Sequence, residues 1–443
     1  MSKNKDAKLF NMLVKAREHH QNGQLSQAMA AYKKILRIAP NQADAWHYLG
    51  LAYYQSGNVE LAINHIKRAT VFAPSYPDAL NNLANIHKEL GDQQQAYAYY
   101  QQVLELDPKH ANALINIAVV LRETKQTHEA LGYVKRALDL VPNHPVAQHN
   151  LANIYTDLRE FQLASTAYQR AMQLDPLNQH SQRSYAHVLR ELGCTAEAIQ
   201  VLENIVKQNP GDAIAEHMLA SYTGTNIPSR ATDQYIKQTF DAFSVNFDLS
   251  LAQLKYQAPQ LVAEKVMALI DKTSDFAPSD KLSILDIGCG TGLCGQCLRP
   301  AVEKLVGVDL SAKMLVKARQ LSIYDELHES ELCAYMQTTA EVFSCVICAD
   351  TLVYFGDLAQ AFAAVYQVLQ APGLFVFTLE QQRGDSENHN YTLQKNGRYS
   401  HQLSYVKTAL QAANFMIIST EDMIPRYENG EAVDGALVVV QKM

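Results

Sequence analysis

One stretch of this sequence has the residue types and spacing to grip a nucleoside. Asp286 is followed by Gly288, Gly290 and Gly292, with Cys289 and Thr291 between them, and Asp309 comes 23 residues after Asp286. Glycines let backbone approach a ligand without side-chain clash. Their spacing, Gly-x-Gly-x-Gly, differs from the dinucleotide fingerprint Gly-x-Gly-x-x-Gly. An acidic group ahead of the loop can receive an ammonium. A second carboxylate on the next strand can accept both hydroxyls of a ribose. Together they describe a ligand with a sugar and an amino-acid group but no pyrophosphate.

The flanking sequence supplies elements to hold those residues. Leu282 to Ile287 is a short apolar run, a helix can start near Gly292 and reach Leu298, and Lys304 to Val308 is a second strand ending at Asp309. Strand, glycine loop and helix in that order make a Rossmann-like unit. Further strands are expected at Asp325 to Leu332, Phe343 to Ala349, Leu374 to Leu379, Met416 to Thr420 and Ala436 to Gln441, which brings the count to seven. Helices are expected at Leu358 to Leu369 and Leu403 to Ala413, and a turn at Ala371-Pro372-Gly373.

The segments Leu285-Asp286-Ile287-Gly288-Cys289-Gly290-Thr291-Gly292 and Gly307-Val308-Asp309-Leu310-Ser311 resemble the first two motifs of class I methyltransferases. The resemblance covers about residues 235–443 and implies S-adenosylmethionine as cofactor. It places Gly288, Cys289, Gly290 and Gly292 against the cofactor, with Asp286 near the methionyl ammonium and Asp309 on the ribose. Leu310 and Met314 would pack on the ribose or adenine, and Glu331 would accept from the adenine amino group. In the family the tip of the fourth strand faces the methyl group, which brings Asp350 and Leu352 to the cofactor. The sequence departs from the family at Pro372-Gly373-Leu374, where Pro-Gly-Gly is usual.

Methyl transfer is a direct displacement, so alignment of the nucleophile supplies much of the rate. A lysine or amide acceptor would also need help losing a proton. The candidates are Tyr354, Tyr256 and His401, with Asp350 as a cofactor or substrate contact. Two cysteine pairs, Cys294/Cys297 and Cys345/Cys348, have the Cys-x-x-Cys spacing of zinc ligands. Residues i and i+3 of a strand face opposite ways, so the second pair cannot share a metal, and none is expected.

Residues 223–234 are rich in Gly, Asn, Pro and Ser and read as a linker. Residues 235–271 follow as a helical lid, with Phe240, Phe243, Phe247, Leu251 and Leu254 on one face of an interrupted helix. The stretch ending Leu254-Lys255-Tyr256-Gln257-Ala258-Pro259 resembles the entry of a group of bacterial methyltransferases, some of which carry tetratricopeptide repeats.

The first half has a period. Prolines fall at 40, 74, 108, 142, 176 and 210, each step being 34 residues. With Trp46, Leu49, Gly50, Tyr53, Ala62 and Ala69 in one unit, this resembles the tetratricopeptide repeat. Six repeats and a capping helix over residues 9–222 make an α-solenoid. Small residues (Gly50, Ala84, Ala118, Ala152, Ala186) admit close helix approach. Large ones (Tyr32, Ile66, Tyr100, Val134, Tyr168, Leu202) fill the space between units. Asn82, Asn116 and Asn150 recur at the same period, and Asn81 to Ile86 resembles repeats of O-GlcNAc transferase, where an asparagine ladder holds extended polypeptide. These three are the expected contacts for a protein or peptide partner.

Composition excludes several classes. At 443 residues and a net charge of −7, broad binding to nucleic acid or to an anionic membrane is not expected. No apolar run reaches the length of about 18 residues needed to span a bilayer. Met1 to Phe10 has no apolar stretch of signal length, and the seven cysteines read as free thiols, so the expected location is cytoplasmic. The sequence thus describes a repeat solenoid followed by an α/β methyltransferase domain. The leading reading is methylation of a protein or peptide recruited by the repeats. Its rivals are a small-molecule or lipid-precursor methyltransferase that uses the repeats for docking or oligomerisation, and a non-catalytic scaffold.

Overall fold

The computed structural model describes residues 2–244, 247–270, 282–382, 390–428 and 430–443, with side chains from residue 7 onward. The chain divides into two compact units, Met1–Cys194 and Thr195–Met443. The first is helical throughout its described length. Its helices are α1 (Ser2–Gln21), α2 (Leu25–Ile38), α3 (Ala43–Gln55), α4 (Val59–Phe72), α5 (Pro77–Glu89), α6 (Gln93–Leu106), α7 (Ala111–Glu123), α8 (Thr127–Leu140), α9 (Pro145–Asp157), α10 (Phe161–Leu174) and α11 (Gln179–Glu191). Helices α2, α4, α6, α8 and α10 each stop two residues before a periodic proline, which cannot donate to a continuing helix. Tyr32, Ile66, Tyr100, Val134 and Tyr168 are buried, as are Ala84, Ala118, Ala152 and Ala186. A Cβ on Gly50 would lie 2.5 Å from the Ile66 side chain, which explains the small residue there.

The second unit opens with α12 (Thr195–Gln208), α13 (Ala213–Thr223), α14 (Asp233–Phe243), α15 (Phe247–Gln253) and α16 (Ala258–Ile270). The α/β alternation that follows is β1 (Ser283–Ile287), α17 (Leu293–Leu298), β2 (Lys304–Asp309), α18 (Ala312–Leu321), β3 (Glu326–Glu329), α19 (Leu332–Thr338), β4 (Phe343–Cys348), α20 (Ala359–Val368) and β5 (Leu369–Gln381). The chain then continues through β6 (Tyr391–Leu393), β7 (Tyr399–His401), α21 (Leu403–Ala412), β8 (Phe415–Met423), β9 (Tyr427–Glu428), β10 (Glu431–Ala432) and β11 (Gly435–Lys442). The main sheet has the order β3-β2-β1-β4-β5-β11-β8, parallel from β3 to β5, with β11 antiparallel to β5 and β8. It has nine strands rather than the expected seven because the short pair β6–β7 adds to the end of β5. Apolar clusters cover both faces. Cys345 belongs to one and Cys348 to the other, as alternation along β4 requires.

Four sequence expectations shift. The turn expected at Ala371-Pro372-Gly373 lies inside β5, where the ladder jumps from Phe343–Leu369 to Cys345–Leu374 and loops out the residues between. The third strand ends at Glu329, because Glu331 caps α19 instead of extending the strand. The lid is shorter than 235–271. Val262, Ala263 and Val266 of α16 pack into the core on one face of the sheet, and residue 271 lies outside the described residues. The segment read as a linker is strapped to the second unit. Ser229 O accepts from Gly356 N and Asp357 N at 2.8 Å, Tyr354 O accepts from Ala231 N at 2.8 Å, and Pro228 O accepts from the Tyr399 hydroxyl at 2.8 Å. The division into units accordingly falls before α12. α13 packs on the strap and lid through Ala213, Ala231 and Tyr235.

A second period, absent from the sequence reading, governs the turns inside the repeats. Residues 23, 57, 91, 125, 159 and 193 all adopt positive φ, between +61° and +83°. Four are glycine, while Lys125 and Arg159 hold the same left-handed conformation with a Cβ. That conformation costs an ordinary L-residue about 1–2 kcal/mol, and part of the gain on changing to glycine is lost to the more flexible unfolded chain. Lys125→Gly and Arg159→Gly should each raise stability by roughly 0.5–1 kcal/mol, and Gly57→Ala should lower it by about 1 kcal/mol. Shifts in the denaturant midpoint of the array would check both signs.

Candidate active site

In a doubly wound sheet, ligands bind where the strand order reverses, beyond the carboxyl ends of the strands. Here that point lies between β1 and β4, and a cavity of about 400 Å³ opens there. Its floor includes Gly288, Gly290, Asp309, Leu310, Met314 and Glu331. Gly288 and Gly290 have φ of +73° and +55°. A Cβ at Gly288 would collide with Thr351, at 2.1 Å from its Oγ1, whereas at Gly290 the nearest atom is a Phe247 ring carbon at 3.9 Å. The first glycine is thus needed for packing and the second leaves bare backbone toward the cavity.

β1 and β2 are parallel neighbours, and their tips are joined directly. Gly290 N donates to Asp309 Oδ2 at 2.9 Å and Ser311 N donates to Asp309 Oδ1 at 2.8 Å. Burial pushes the Asp309 carboxyl up, and the bonds from Ser311 and Gly290 pull it back. Glu331 uses Oε2 to cap α19, accepting from Ala334 N at 2.8 Å, while its Oε1 is buried with no hydrogen-bond partner. Leu310 and the buried Met314 line the floor as expected.

Four expected contacts do not line the cavity. The Asp286 carboxyl is 1% exposed and accepts from the Tyr324 hydroxyl at 2.7 Å, inside the core behind the loop. Burial pushes its pKa up to about 7. The Cys289 side chain is buried beneath the loop, within 3.0 Å of where a Gly307 Cβ would lie. Gly292 sits at the start of α17 against Leu321 and Tyr324. Leu352 is fully buried in the apolar cluster beneath β4.

The roof is α14 and α15, through Phe240, Phe243, Phe247, Leu251 and the following Leu254. Two carboxylates fasten it to the loops below. The Ser311 hydroxyl donates to Asp241 at 2.6 Å and the Thr291 hydroxyl donates to Asp248 at 2.6 Å.

The far end of the cavity is polar and joins the expected Tyr256, Tyr354 and Asp350 to two arginines that the sequence reading did not place there. Arg426, only 2% exposed, donates to Asp350 at 2.6 Å and to Glu428 at 2.7 Å, and it also contacts Glu380. Arg398 donates to the same Glu380 oxygen at 2.6 Å and also reaches Glu428. Tyr256, Tyr354, Asp350, Arg398 and Arg426 line this end. Burial holds both tyrosine hydroxyls above their usual range. Backbone bonds from Gln257 N to Pro425 O at 2.8 Å and from Tyr427 N to Leu254 O at 2.7 Å seat Arg426 beneath the lid. The sequence did carry a signal for this end: Glu380 closes an otherwise apolar strand and Arg426 interrupts the approach to the last one.

His401, a catalytic candidate, does not reach the cavity. It is 1% exposed, its Nε2 meets Gly356 O at 3.1 Å, and burial lowers its pKa to about 4. Arg398, just before β7, faces the cavity instead. The asparagines of the first unit are also engaged internally. Asn82 Nδ2 bonds His47 Nε2 at 2.8 Å, Asn116 Nδ2 donates to Asn85 Oδ1 at 3.1 Å, and Asn150 is buried. The bonds of Asn82 and Asn116 each reach a residue of the preceding repeat.

Sheet order and the bare glycine loop at its switch point define a Rossmann-like domain. Residues 285–377 match the methyltransferase domain family. Residues 75–143 and 109–177, together with 16–57 and 50–91, match tetratricopeptide repeat families, and residues 145–212 match the YpiA-like C-terminal repeats. The chain is 28% identical over 148 residues to a putative methyltransferase of Geobacillus sp. (strain WCH70), covering 31% of this chain and 56% of that one. It is 27% identical over 130 residues to the ubiquinone biosynthesis O-methyltransferase of Aromatoleum aromaticum, covering 24% and 55%. A solved structure of PilF from Pseudomonas aeruginosa covers 49% of this chain and 99% of its own length, at 20% identity and a TM-score of 0.45. The chain spans about half the length of these two curated relatives. It carries a methyltransferase domain preceded by tetratricopeptide repeats.

S-adenosylmethionine is the cofactor of this domain class, and the donor set fits it. Asp309 has lone pairs left for the ribose hydroxyls, Gly290 presents bare backbone, and Glu331 Oε1 is an unused acceptor for an amino group. Among the described residues no helix is long and apolar enough to cross a membrane, and no group of three or more His, Cys, Asp or Glu could hold a metal ion.

Asp286 yields a pH test. A carboxyl raised in the fold contributes stability that is present below its unfolded pKa and lost as pH rises through its folded value. For Asp286 that window runs from about pH 4 to about pH 7. Asp286→Asn, which still accepts from Tyr324, should gain stability relative to the parent as pH rises across this window. Denaturation midpoints of both proteins at several pH values would show the crossing.

Proposed function

We propose that the second unit transfers a methyl group from S-adenosylmethionine to an acceptor with an apolar body admitted beneath the lid, and that the repeats dock a protein partner. The observation that carries the reading is the 2.9 Å bond between Gly290 N and Asp309 Oδ2 beside an open cavity. The bound cofactor supplies an activated methyl group on a sulfonium leaving group. The chain's own residues do the rest. Asp309 and Glu331 fix the nucleoside, and the lid's three phenylalanines and two leucines exclude water from the reacting end. Alignment under such a roof is the main source of rate. With Tyr256 and Tyr354 held neutral, their hydroxyls orient the acceptor. Asp350, held by Arg426, is the carboxylate placed to take a proton.

A small acceptor is favoured over a peptide strand by two observations. The roof is aromatic and closed down by Asp241 and Asp248. Of the asparagines expected to hold a peptide, Asn82 and Asn116 each use an amide donor within the array and Asn150 is buried. A relative named as an O-methyltransferase of ubiquinone biosynthesis accords with this reading. The second reading, in which the docked partner itself bears the acceptor, draws on the repeats alone. The seven free cysteines accord with work in the cytoplasm.

Asp309→Ala should weaken S-adenosylmethionine binding about 10- to 100-fold by titration calorimetry, the loss expected for hydrogen bonds to a charged group. Unchanged affinity, or no binding by the parent chain, would defeat the proposal. Incubating cell extract with the full chain and methyl-labelled cofactor, then sorting the label by size, should place it in small molecules. Label confined to protein would select the second reading.

A further inference from the structure

The walls at the polar end of the cavity come from the lid helix α14 and from the turn between β6 and β7. They meet at one side chain outside the cavity, His217 of α13, which is 5% exposed. Its ring stacks on Tyr235 of α14, with centroids 3.9 Å apart and planes 29° from parallel. Its Nε2 donates to Gly397 O at 2.8 Å, and since a carbonyl only accepts, the proton is on Nε2. Tyr235 closes the clamp from the other side. A Cβ on Gly397, whose φ is +85°, would lie 2.6 Å from the Tyr235 hydroxyl.

The residue after Gly397 is Arg398. Its guanidinium lines the cavity and donates to Glu380 at 2.6 Å. The same Glu380 oxygen receives Arg426, and Arg426 holds Asp350 at 2.6 Å. Direct contacts therefore lead from His217 through Gly397, Arg398, Glu380 and Arg426 to the carboxylate at the tip of β4. The cofactor floor has its own bonds, Asp309 to Gly290 and Ser311, and α14 reaches it at the end remote from Tyr235, through Asp241 and the Ser311 hydroxyl.

We propose that His217 is a positioning residue for the acceptor end of the site. By clamping Tyr235 and Gly397 together it sets Arg398, and through the arginine–carboxylate relay it sets Asp350, without acting on cofactor affinity. The proposal rests on reading this cavity as the methyl-transfer site. A buried histidine that merely fills space would affect stability and cofactor binding in step and would leave the relay indifferent to the lost donor.

The test uses two variants of the full chain. His217→Phe keeps a ring against Tyr235 but removes the donor. His217→Gln keeps an N–H of similar reach without the ring. Three quantities are measured: S-adenosylmethionine affinity by calorimetry, amide exchange across residues 391–399, and initial methyl incorporation from labelled cofactor into cell extract at varied extract concentration. For His217→Phe, cofactor affinity should stay within about twofold while exchange in 391–399 accelerates. Incorporation should fall about 10- to 100-fold, the scale of a misplaced reacting group. His217→Gln should recover most of the incorporation. The proposal is overturned if His217→Phe leaves exchange and incorporation at parent values. It is equally overturned if cofactor affinity and incorporation fall together, or if His217→Gln behaves no better than His217→Phe. Loss of cofactor binding by the parent chain would instead defeat the reading of the site, and the exchange measurement would still decide whether His217 holds the turn.

Discussion

The site depends on one hydrogen bond, from Gly290 N to Asp309 Oδ2. It links the tips of two adjacent parallel strands, so the bare loop and the carboxylate proposed to hold the ribose are fixed by the same contact. Parallel pairing of β1 with β2 sets their separation, and burial of both strands in the sheet makes that register hard to slip.

What stands above the floor is a buried polar assembly that had to be solved as a unit. Two guanidiniums and three carboxylates meet under an aromatic roof, and Arg426 is almost wholly removed from water. Desolvating such groups is expensive, and the cost is offset only when nearly every donor finds an acceptor. The shared Glu380 oxygen is the junction, since both arginines use it. Geometry of this kind is stiff, because shifting one member leaves another unpaired in a low-dielectric setting. That stiffness suits a site whose rate comes from alignment.

The parts of the molecule legible in the sequence were those governed by local rules. The proline period gave helix ends because a missing N–H acts on its own helix. Gly288, Gly290 and Asp309 were legible because strand, loop and strand are contiguous. Asp286 misled because its spacing is right while its side chain turns to Tyr324, 38 residues away. His401 misled because a strand places alternate residues on opposite sides, and the choice between Arg398 and His401 depends on how β7 joins β5. Arg426, Glu380 and Glu428 could not be assembled from sequence, since their meeting depends on the order of strands far apart in the chain. The asparagine period was real, but Asn82 and Asn116 bond into the preceding repeat, and one sequence does not say whether an amide faces a neighbour or a ligand.

The strap over residues 228–231 also bears on how the two halves of the chain can have been joined. Its carbonyls and amides are committed to Gly356, Asp357 and Tyr354, which follow β4, and to Tyr399, which opens β7. A connecting segment is ordinarily slack chain. This one is woven into the wall of the second unit, so that unit begins well upstream of its own sheet and includes α12 and α13.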